Sequence, residues 1–163
     1  ELQKFVKSKP VMGICNGFQT LIKLGLLPDA DFQRSCALVK NEQGHFINRW
    51  IELKRNEKSP CIWTRSLPGS FALPIRHGEG RFVCQDEAVL NRLLHNNQAV
   101  LRYTEDVNGA QAQIAGICDP SGLVFALMPH PEAALHDWHL PVPGKAYGLE
   151  FFKSAVQYLR SHS

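Results

Sequence analysis

The sequence predicts an α/β fold in which a central, mostly parallel sheet is flanked by helices. Three segments carry this prediction. The unbroken apolar run "VMGI" (11–14) is typical of a buried parallel strand, and the amphipathic "NGFQTLIKLGLL" that follows it predicts a helix. The segment "QIAGICDPSGLVFALMPHPE" (113–132) predicts a strand hairpin around Asp-Pro-Ser-Gly. At 163 residues the chain has the length of one domain, residues 1–163.

The other elements are predicted in chain order. "ELQKFVKSKP" predicts the last turns of a helix that ends at Pro10, with Leu2 and Phe5 as its apolar positions. Strands are predicted at "FINRWIEL" and "CIWT", and on both sides of a loop in "LPIRHGEGRF". "EAVLNRLLHNNQ" predicts a short helix, "VLRYT" a strand, and "GLEFFKSAVQYLRS" an amphipathic helix. The predicted buried stripe of that last helix is Leu149, Phe152, Val156 and Leu159.

Composition argues against several classes of function. The net charge is only +3, and no basic cluster interleaved with aromatics is present, so no nucleic-acid partner is expected. The longest apolar runs, such as "GLVFALM", are far too short to span a bilayer, so no membrane partner is expected either. The five cysteines are scattered and form no C-x-x-C pair. This pattern argues against a disulfide framework or a cysteine-built zinc site and favours a reducing compartment, most simply the cytoplasm.

Cys15 occupies the predicted turn from strand to helix. Gly13 and Gly17 flank it at minus two and plus two, which is the spacing of a nucleophile elbow. Such a turn pushes the nucleophile outward and aims the next backbone N–H, that of Asn16, at the group under attack. The alternative interpretation is a buried structural cysteine between glycines that merely permit a turn.

A thiol nucleophile needs a base, and the base needs a group that orients it. His130 and Glu132 lie two residues apart in "MPHPE", and residues i and i+2 of an extended segment point the same way. A carboxylate in that position can hold the imidazole tautomer while the other ring nitrogen faces the cysteine. A surface turn that carries a solvated histidine and glutamate is the alternative.

These segments resemble class I glutamine amidotransferases. "GICNGFQ" is similar to the G-x-C-x-G-x-Q signature of that family, and "MPHPE" is similar to its His-x-Glu. The segments between them, including "NRWIEL", "SPCIWTR" and "HGEGRF", resemble the glutaminase subunit or domain of phosphoribosylformylglycinamidine synthase. The resemblance covers nearly the whole chain from about Lys9.

The resemblance implies a mechanism and its residues. Cys15 would attack the side-chain amide of glutamine to give a thioester and ammonia, with His130 as base and Glu132 as its orienting partner. Asn16, Gln19 and His77 would lie at the substrate, Asn16 through its backbone donor and His77 on a loop beside the pocket. An ordinary helix-surface role for Gln19 and a plain loop role for His77 are the alternatives.

The resemblance also implies the reaction partners. Ammonia would pass to a synthase subunit or domain that acts on formylglycinamide ribonucleotide in purine biosynthesis. ATP and Mg would belong to that partner, and no cofactor is expected in this chain. His136 and His139 are spaced i, i+3, but without supporting ligands they are not expected to bind metal.

The sequence departs from the family in two places. Ala133 stands where an arginine commonly follows "MPHPE", and the family's strand–helix units before the elbow are missing. We therefore expect an N-terminally truncated domain that lacks a second oxyanion donor and is a poor catalyst alone.

Three functions compete. The first is the glutaminase just described, or that of another class I amidotransferase. The second is an inactive fragment that acts only as a binding surface, and the third is an unrelated cysteine hydrolase. Intact Cys15, His130 and Glu132 favour the first function over the second.

Overall fold

The computed structural model describes residues 2–162. Its helices are α1 (Leu2–Phe5), α2 (Asn16–Lys23), α3 (Glu87–His95) and α4 (Gly148–Ser161). Its strands are β1 (Val11–Ile14), β2 (Cys36–Val39), β3 (Ile47–Arg55), β4 (Ser70–His77), β5 (Arg81–Cys84), β6 (Ala99–Tyr103), β7 (Ile114–Cys118) and β8 (Val124–Leu127). Over that range no helix has the length and hydropathy to cross a bilayer, and the longest of them, α4, has 14 residues.

Six strands form the central sheet in the order β1-β8-β7-β6-β3-β4. The α/β class is confirmed, but "mostly parallel" is wrong for this sheet, because among the described strands only β1 and β8 pair in parallel. The reason is the length of the connections. Strands β7 and β8 are joined by the tight turn from Asp119 to Gly122, whose N–H donates to the Asp119 carbonyl (3.0 Å), and so short a link permits only antiparallel pairing.

A second, two-stranded sheet pairs β2 with β5. It packs beside α2, where the rings of Phe18 and Phe82 stack with centroids 6.2 Å apart. Cys36 and Cys84 lie opposite each other in this sheet, and their sulfurs are 3.4 Å apart. Strand β5 of this sheet follows β4 after the short segment 78–80, and that segment reaches α2, where the Gln19 amide donates to the Glu79 carbonyl.

One predicted strand differs from the structure. "CIWT" was predicted as a strand, but Ile62–Thr64 form a 3-10 helix that packs on α4. A short apolar run cannot distinguish these two states by periodicity. Here the Ile62 N–H donates to Gly122 and the Trp63 ring nitrogen donates to Leu123 (2.9 Å), so the segment binds to the hairpin turn and pairs with no strand.

The buried face of α4 also differs from the prediction. Val156 is 48% exposed and Leu159 41% exposed, whereas Phe151, Ser154 and Ala155 are buried. Small side chains let the helix backbone approach its neighbours closely, which an apolar stripe does not reveal. The apolar positions Leu2 and Phe5 of α1 are exposed, whereas Val6, which follows the helix, is buried.

Candidate active site

The turn from β1 to α2 places Cys15 in a strained conformation. Its φ is 52° and its ψ is −103°, a region that residues other than glycine rarely adopt. Gly13 is required by space, because a Cβ there would lie 2.7 Å from the backbone of Gly17. Gly17 itself has no neighbour within 4 Å of such an atom. The predicted elbow is therefore present, and of its two glycines only Gly13 is required by close packing.

The elbow is attached to the sheet on both sides. The Cys15 N–H donates to the Leu127 carbonyl at the end of β8 (2.9 Å). The Cys15 sulfur lies 3.8 Å from the carbonyl of Arg76 near the end of β4, and the residue is partly exposed. Because β1 and β4 are the two edge strands of the sheet, this contact shows that the sheet curls until its edges meet at the thiol.

His130 and Glu132 follow the end of β8, next to the point where β1 and β4 meet. The His130 N–H donates to the Pro74 carbonyl of β4 (2.8 Å), and Pro131 begins a 3-10 helix that carries Glu132. His130 Nδ1 and Glu132 Oε1 are 2.5 Å apart. The histidine side chain is 16% exposed and the carboxylate side chain 46% exposed. The ring is thus fixed by a carboxylate at Nδ1, which leaves Nε2 free to act.

Cys15 and Glu132 both favour the protonated form of His130. Donation of a hydrogen bond from the protonated ring to the Cys15 sulfur is the largest influence and the Glu132 carboxylate the next, and together they outweigh burial and raise the pKa of His130 to about 9. His130 Nε2 is itself buried, and among residues 2–162 it has no hydrogen bond of normal geometry. The imidazole is therefore close to the thiol, and the contact is loose in the free protein, as is common before substrate binds.

Glu132 remains ionised beside this imidazole. Burial raises the pKa of the Glu132 carboxyl. The hydrogen bond from His130, the backbone N–H of Glu132 and the nearby charges of His130 and Arg76 together lower the pKa by more than burial raises it. The net pKa lies below the ordinary value. An ionised carboxylate on one ring nitrogen and a thiol near the other is the geometry that thiol nucleophilic catalysis needs.

His77 is the last residue of β4, not part of a loop as predicted. It is only 3% exposed. Burial lowers the pKa of His77 to about 4, and the positive charge of His130 lowers it in the same direction. The two imidazoles are therefore neighbours with opposite preferences, His130 for the cationic form and His77 for the neutral form.

Asn41 holds His77 in place through hydrogen bonds to its backbone and its ring. We call Asn41, His77, Gly80 and Asn108 the Asn41 cluster. The Asn41 amide nitrogen donates to the His77 carbonyl (2.8 Å), and its oxygen lies 3.1 Å from His77 Nδ1 and 3.2 Å from the Gly80 N–H. Asn108 adds a longer bond of 3.4 Å. Asn41 belongs to no motif in the sequence, and only its 2% exposure in the fold reveals it.

Gln19 and Asn16 lie on the first turn of α2. The Gln19 amide nitrogen donates to the Glu79 carbonyl (2.8 Å) and so ties α2 to the loop after β4. Asn16 is exposed, and its backbone N–H is at the helix N-terminus, where amides have no partner within the helix. Asn16 lies beside Cys15, and Gln19 joins the loop that follows His77.

Tyr103 lies inside the sheet behind the thiol and was also missed. Its hydroxyl is buried and has no hydrogen-bond partner among the described residues. Burial raises the pKa of Tyr103, and the charge of Cys15 raises it further. A tyrosine in "VLRYT" is an ordinary strand residue, and nothing in the local pattern predicts this proximity.

His136 and His139 pack around an aromatic ring instead of facing a common ligand. The His136 ring stacks on Trp138 with centroids 4.3 Å apart, and His139 meets both rings edge-on. Across residues 2–162 no three His, Cys, Asp or Glu side chains come together in a way that could hold a metal ion.

The comparisons with known proteins agree on one family. The model of the CobB/CobQ-like glutamine amidotransferase domain matches residues 1–159. The phosphoribosylformylglycinamidine synthase subunit PurQ of Methanococcus maripaludis is 41% identical, over 97% of this chain and 69% of that protein. The PurQ subunit of a Synechococcus strain is 45% identical, over 91% of this chain and 62% of that protein.

Solved structures give the same result for the fold. A structure of PurLQS from Thermotoga maritima aligns with a TM-score of 0.79 at 38% identity, covering 98% of this chain and 66% of that chain. A glutamine amidotransferase from the same organism, at 16% identity and a TM-score of 0.50, shows likeness of fold alone. The chain thus spans about two thirds of the length of the two PurQ subunits and of the PurLQS chain.

Proposed function

The chain belongs to the class I glutamine amidotransferases, in the CobB/CobQ-like group, and on that premise we propose that it is the glutaminase component of phosphoribosylformylglycinamidine synthase. One observation carries the proposal: a cysteine on a strained strand-to-helix turn lies beside a partly buried histidine that a carboxylate holds. The PurQ relatives, at 41% and 45% identity, support the choice of this synthase over other amidotransferases.

The proposed reaction begins at the Cys15 sulfur. The sulfur attacks the carboxamide carbon of glutamine and forms a carbon–sulfur bond, while its proton resides on His130. The developing oxyanion lies against the N–H of Asn16 at the N-terminus of α2. As the intermediate collapses, the carbon–nitrogen bond breaks, and the leaving nitrogen takes the proton from His130 and departs as ammonia. A γ-glutamyl thioester remains on Cys15.

Water completes the cycle. His130 removes a proton from the water that attacks the thioester, and then returns that proton to the sulfur as glutamate leaves. Glu132 stays ionised throughout and stabilises the imidazolium through Nδ1. The Cys15 sulfur and the Glu132 carboxylate raise the pKa of His130 more than burial lowers it, so His130 keeps a proton to donate. Glu132 meanwhile holds the orientation of the ring at Nδ1.

The remaining predicted residues are proposed to position substrate. Gln19 would act through the loop that it anchors at Glu79, and Asn16 through its backbone. His77 would supply a neutral imidazole, because its Nε2 is buried without a partner in the described chain and its ring neighbours His130. A neutral ring there avoids a second positive charge beside the cationic base.

The partner of the reaction is proposed to be a synthase subunit that acts on formylglycinamide ribonucleotide. The name of the PurQ relatives, a synthase subunit, supports this proposal. ATP and Mg would bind to that partner. The chain itself would need glutamine and no cofactor, and it would work in the cytoplasm with the other purine enzymes.

The experiment follows the amide nitrogen. The protein is mixed with the synthase subunit, formylglycinamide ribonucleotide, ATP and Mg, and glutamine labelled with ¹⁵N in its side chain. The proposal predicts ¹⁵N in formylglycinamidine ribonucleotide and a higher rate of glutamine hydrolysis than without the partner. Cys15→Ala should stop the reaction with glutamine but leave product formation from added ammonium intact. Unlabelled product with wild-type protein, or equal rates with Cys15→Ala, would contradict it.

A further inference from the structure

A second cavity lies at the far end of the sheet from Cys15. Strand β4 ends at His77 in the candidate active site and begins at Ser70, which lines this cavity. Its volume is about 670 Å³, within the range of small-molecule sites. Four cations line it, Lys54, Arg55, Lys58 and Arg102, against one carboxylate, Glu57, so the lining carries an excess of three positive charges.

Two of the cations lie side by side on neighbouring strands. Lys54 of β3 pairs with Arg102 of β6 on one side and with Ser70 of β4 on the other. Residues paired directly across antiparallel strands share a face and lie close, and like charges in that position destabilise the sheet. The Ser70–Lys54–Arg102 row therefore presents one hydroxyl and two cations in a line, an arrangement that an anion would stabilise.

The third cation is fixed within the protein. The Arg55 side chain is 16% exposed, and its Nε is buried without a hydrogen-bond partner among residues 2–162. Its ion pair with Glu57 is long, at 3.6 Å. A buried guanidinium donor without a partner is costly, and it is the donor type that binds phosphate oxygens best.

The fourth cation stands on an ordered loop. The Lys58 N–H donates to the Asn56 side chain (3.0 Å), and the Asn56 amide in turn donates to Asn97 (3.3 Å) and the Ala99 carbonyl (3.2 Å). The loop is thereby attached to the start of β6, so Lys58 is held at the rim of the cavity.

We propose that this cavity binds a small anion with two or more phosphoryl groups, such as the oligophosphate of a nucleotide or a free oligophosphate. The excess of three positive charges favours a multiply charged ligand over a single carboxylate. Leu94 is the one apolar side chain among the lining residues, and the cationic head groups of the others favour a phosphate chain. This inference is independent of the proposed function, because none of these residues lies near Cys15.

The test measures binding of sodium triphosphate by calorimetry, with sodium sulfate at equal ionic strength as the screening control. The matched variants are K54Q/R102Q in the cavity and K4Q/K7Q on and just after α1, each of which removes two positive charges. We expect triphosphate to bind the wild type and K4Q/K7Q alike and K54Q/R102Q at least tenfold more weakly. Without triphosphate, K54Q/R102Q should melt no lower than the wild type, since a like-charge pair is gone.

Several results would overturn the proposal. They are no binding to the wild type, equal weakening by both double variants, and binding of sulfate as tight as that of triphosphate. Tighter binding of a hexaglutamate peptide than of triphosphate would identify a docking surface for an acidic protein segment instead. If K54Q/R102Q fails to fold, K54Q alone serves, with an expected loss of at least threefold. Adenosine triphosphate then distinguishes a nucleotide site from a free-oligophosphate site by its relative affinity.

Discussion

The elbow and the Asn41 cluster are built in different ways, although both stand beside His130. The elbow consists of thirteen consecutive residues, 11–23, and its geometry follows from a strand, two glycines and a helix. In the Asn41 cluster, Asn41 is 36 residues from His77 and 67 from Asn108 in sequence. The nucleophile is thus specified locally, whereas the polar surroundings of its base exist only after β2, β4 and the loop before β7 have come together. Loss of the elbow should abolish glutamine hydrolysis, and loss of the cluster should lower the free energy of unfolding.

The largest expected effect is that of Cys15→Ala. Without the sulfur no thioester forms, so glutamine hydrolysis should fall on the order of 10³-fold or more while thermal stability stays close to wild type. Steady-state ammonia release and a melting curve measure the two quantities. Cys118→Ala is the matched control, because that thiol is buried in β7 away from the elbow, and it should retain most activity. Comparable losses of glutamine hydrolysis in both variants would show that Cys15 has no special role in the reaction.

Glu132→Gln should act next most strongly. An amide at this position no longer stabilises the imidazolium, so the pKa of His130 should move down from about 9. The turnover should fall by roughly 10²- to 10⁴-fold, as when an orienting carboxylate is replaced by its amide. NMR titration of the His130 ring measures the pKa, with Glu87→Gln at the exposed first position of α3 as control. An unchanged His130 titration would show that the carboxylate does not orient the base.

Asn41→Ala tests the other region. The substitution leaves His77 Nδ1 and the Gly80 N–H buried without their partner, and two such groups together cost about 3 kcal/mol. The free energy of unfolding from urea titration should fall by that amount. Asn48→Ala, at an exposed position of β3, should cost little. If the two variants were equally stable, the cluster would contribute nothing to the fold.

His77 and His130 should make stability depend on pH in opposite ways. The pKa of His77 is about 4 in the folded protein and about 6.5 when unfolded, so the unfolded state binds more protons between these values. Stability should therefore fall as pH falls from 6.5 towards 4, by about 2 kcal/mol at pH 5. The pKa of His130 is raised to about 9, so its contribution is full below pH 6.5 and is lost as pH rises to 9.

His77→Phe isolates the acidic half of this dependence. The variant should flatten the loss of stability between pH 6.5 and 5 and leave the alkaline loss unchanged. Unfolding free energies at several pH values measure both slopes. An acidic slope that persists in His77→Phe would show that another group titrates there.

The sequence predicted the elbow and the His-Glu pair because both are short, contiguous patterns. The positions of Cys15 and Gly13 follow from strand, turn and helix preferences that act within a few residues. The hairpin from β7 to β8 was predicted for the same reason, since Asp119 to Gly122 specify a turn. The catalytic roles of Cys15, His130 and Glu132 stay predictions until they are measured.

The rest depends on packing between distant segments. Ile62–Thr64 became a 3-10 helix because the backbone carbonyls of the hairpin turn accept its donors, which no local pattern reveals. The face of α4 was wrong because Ser154 and Ala155 pack by virtue of their small size. Asn41 was missed because an asparagine after a short strand is usually an exposed turn residue.

The most direct test of the account is covalent trapping of the nucleophile. The protein is treated with a chloroketone analogue of glutamine, and the labelled peptide is located by mass spectrometry. The account predicts one label, on Cys15, that glutamine prevents and that Glu132→Gln slows. A label on Cys36, Cys61, Cys84 or Cys118 in place of Cys15, in protein that hydrolyses glutamine, would contradict it.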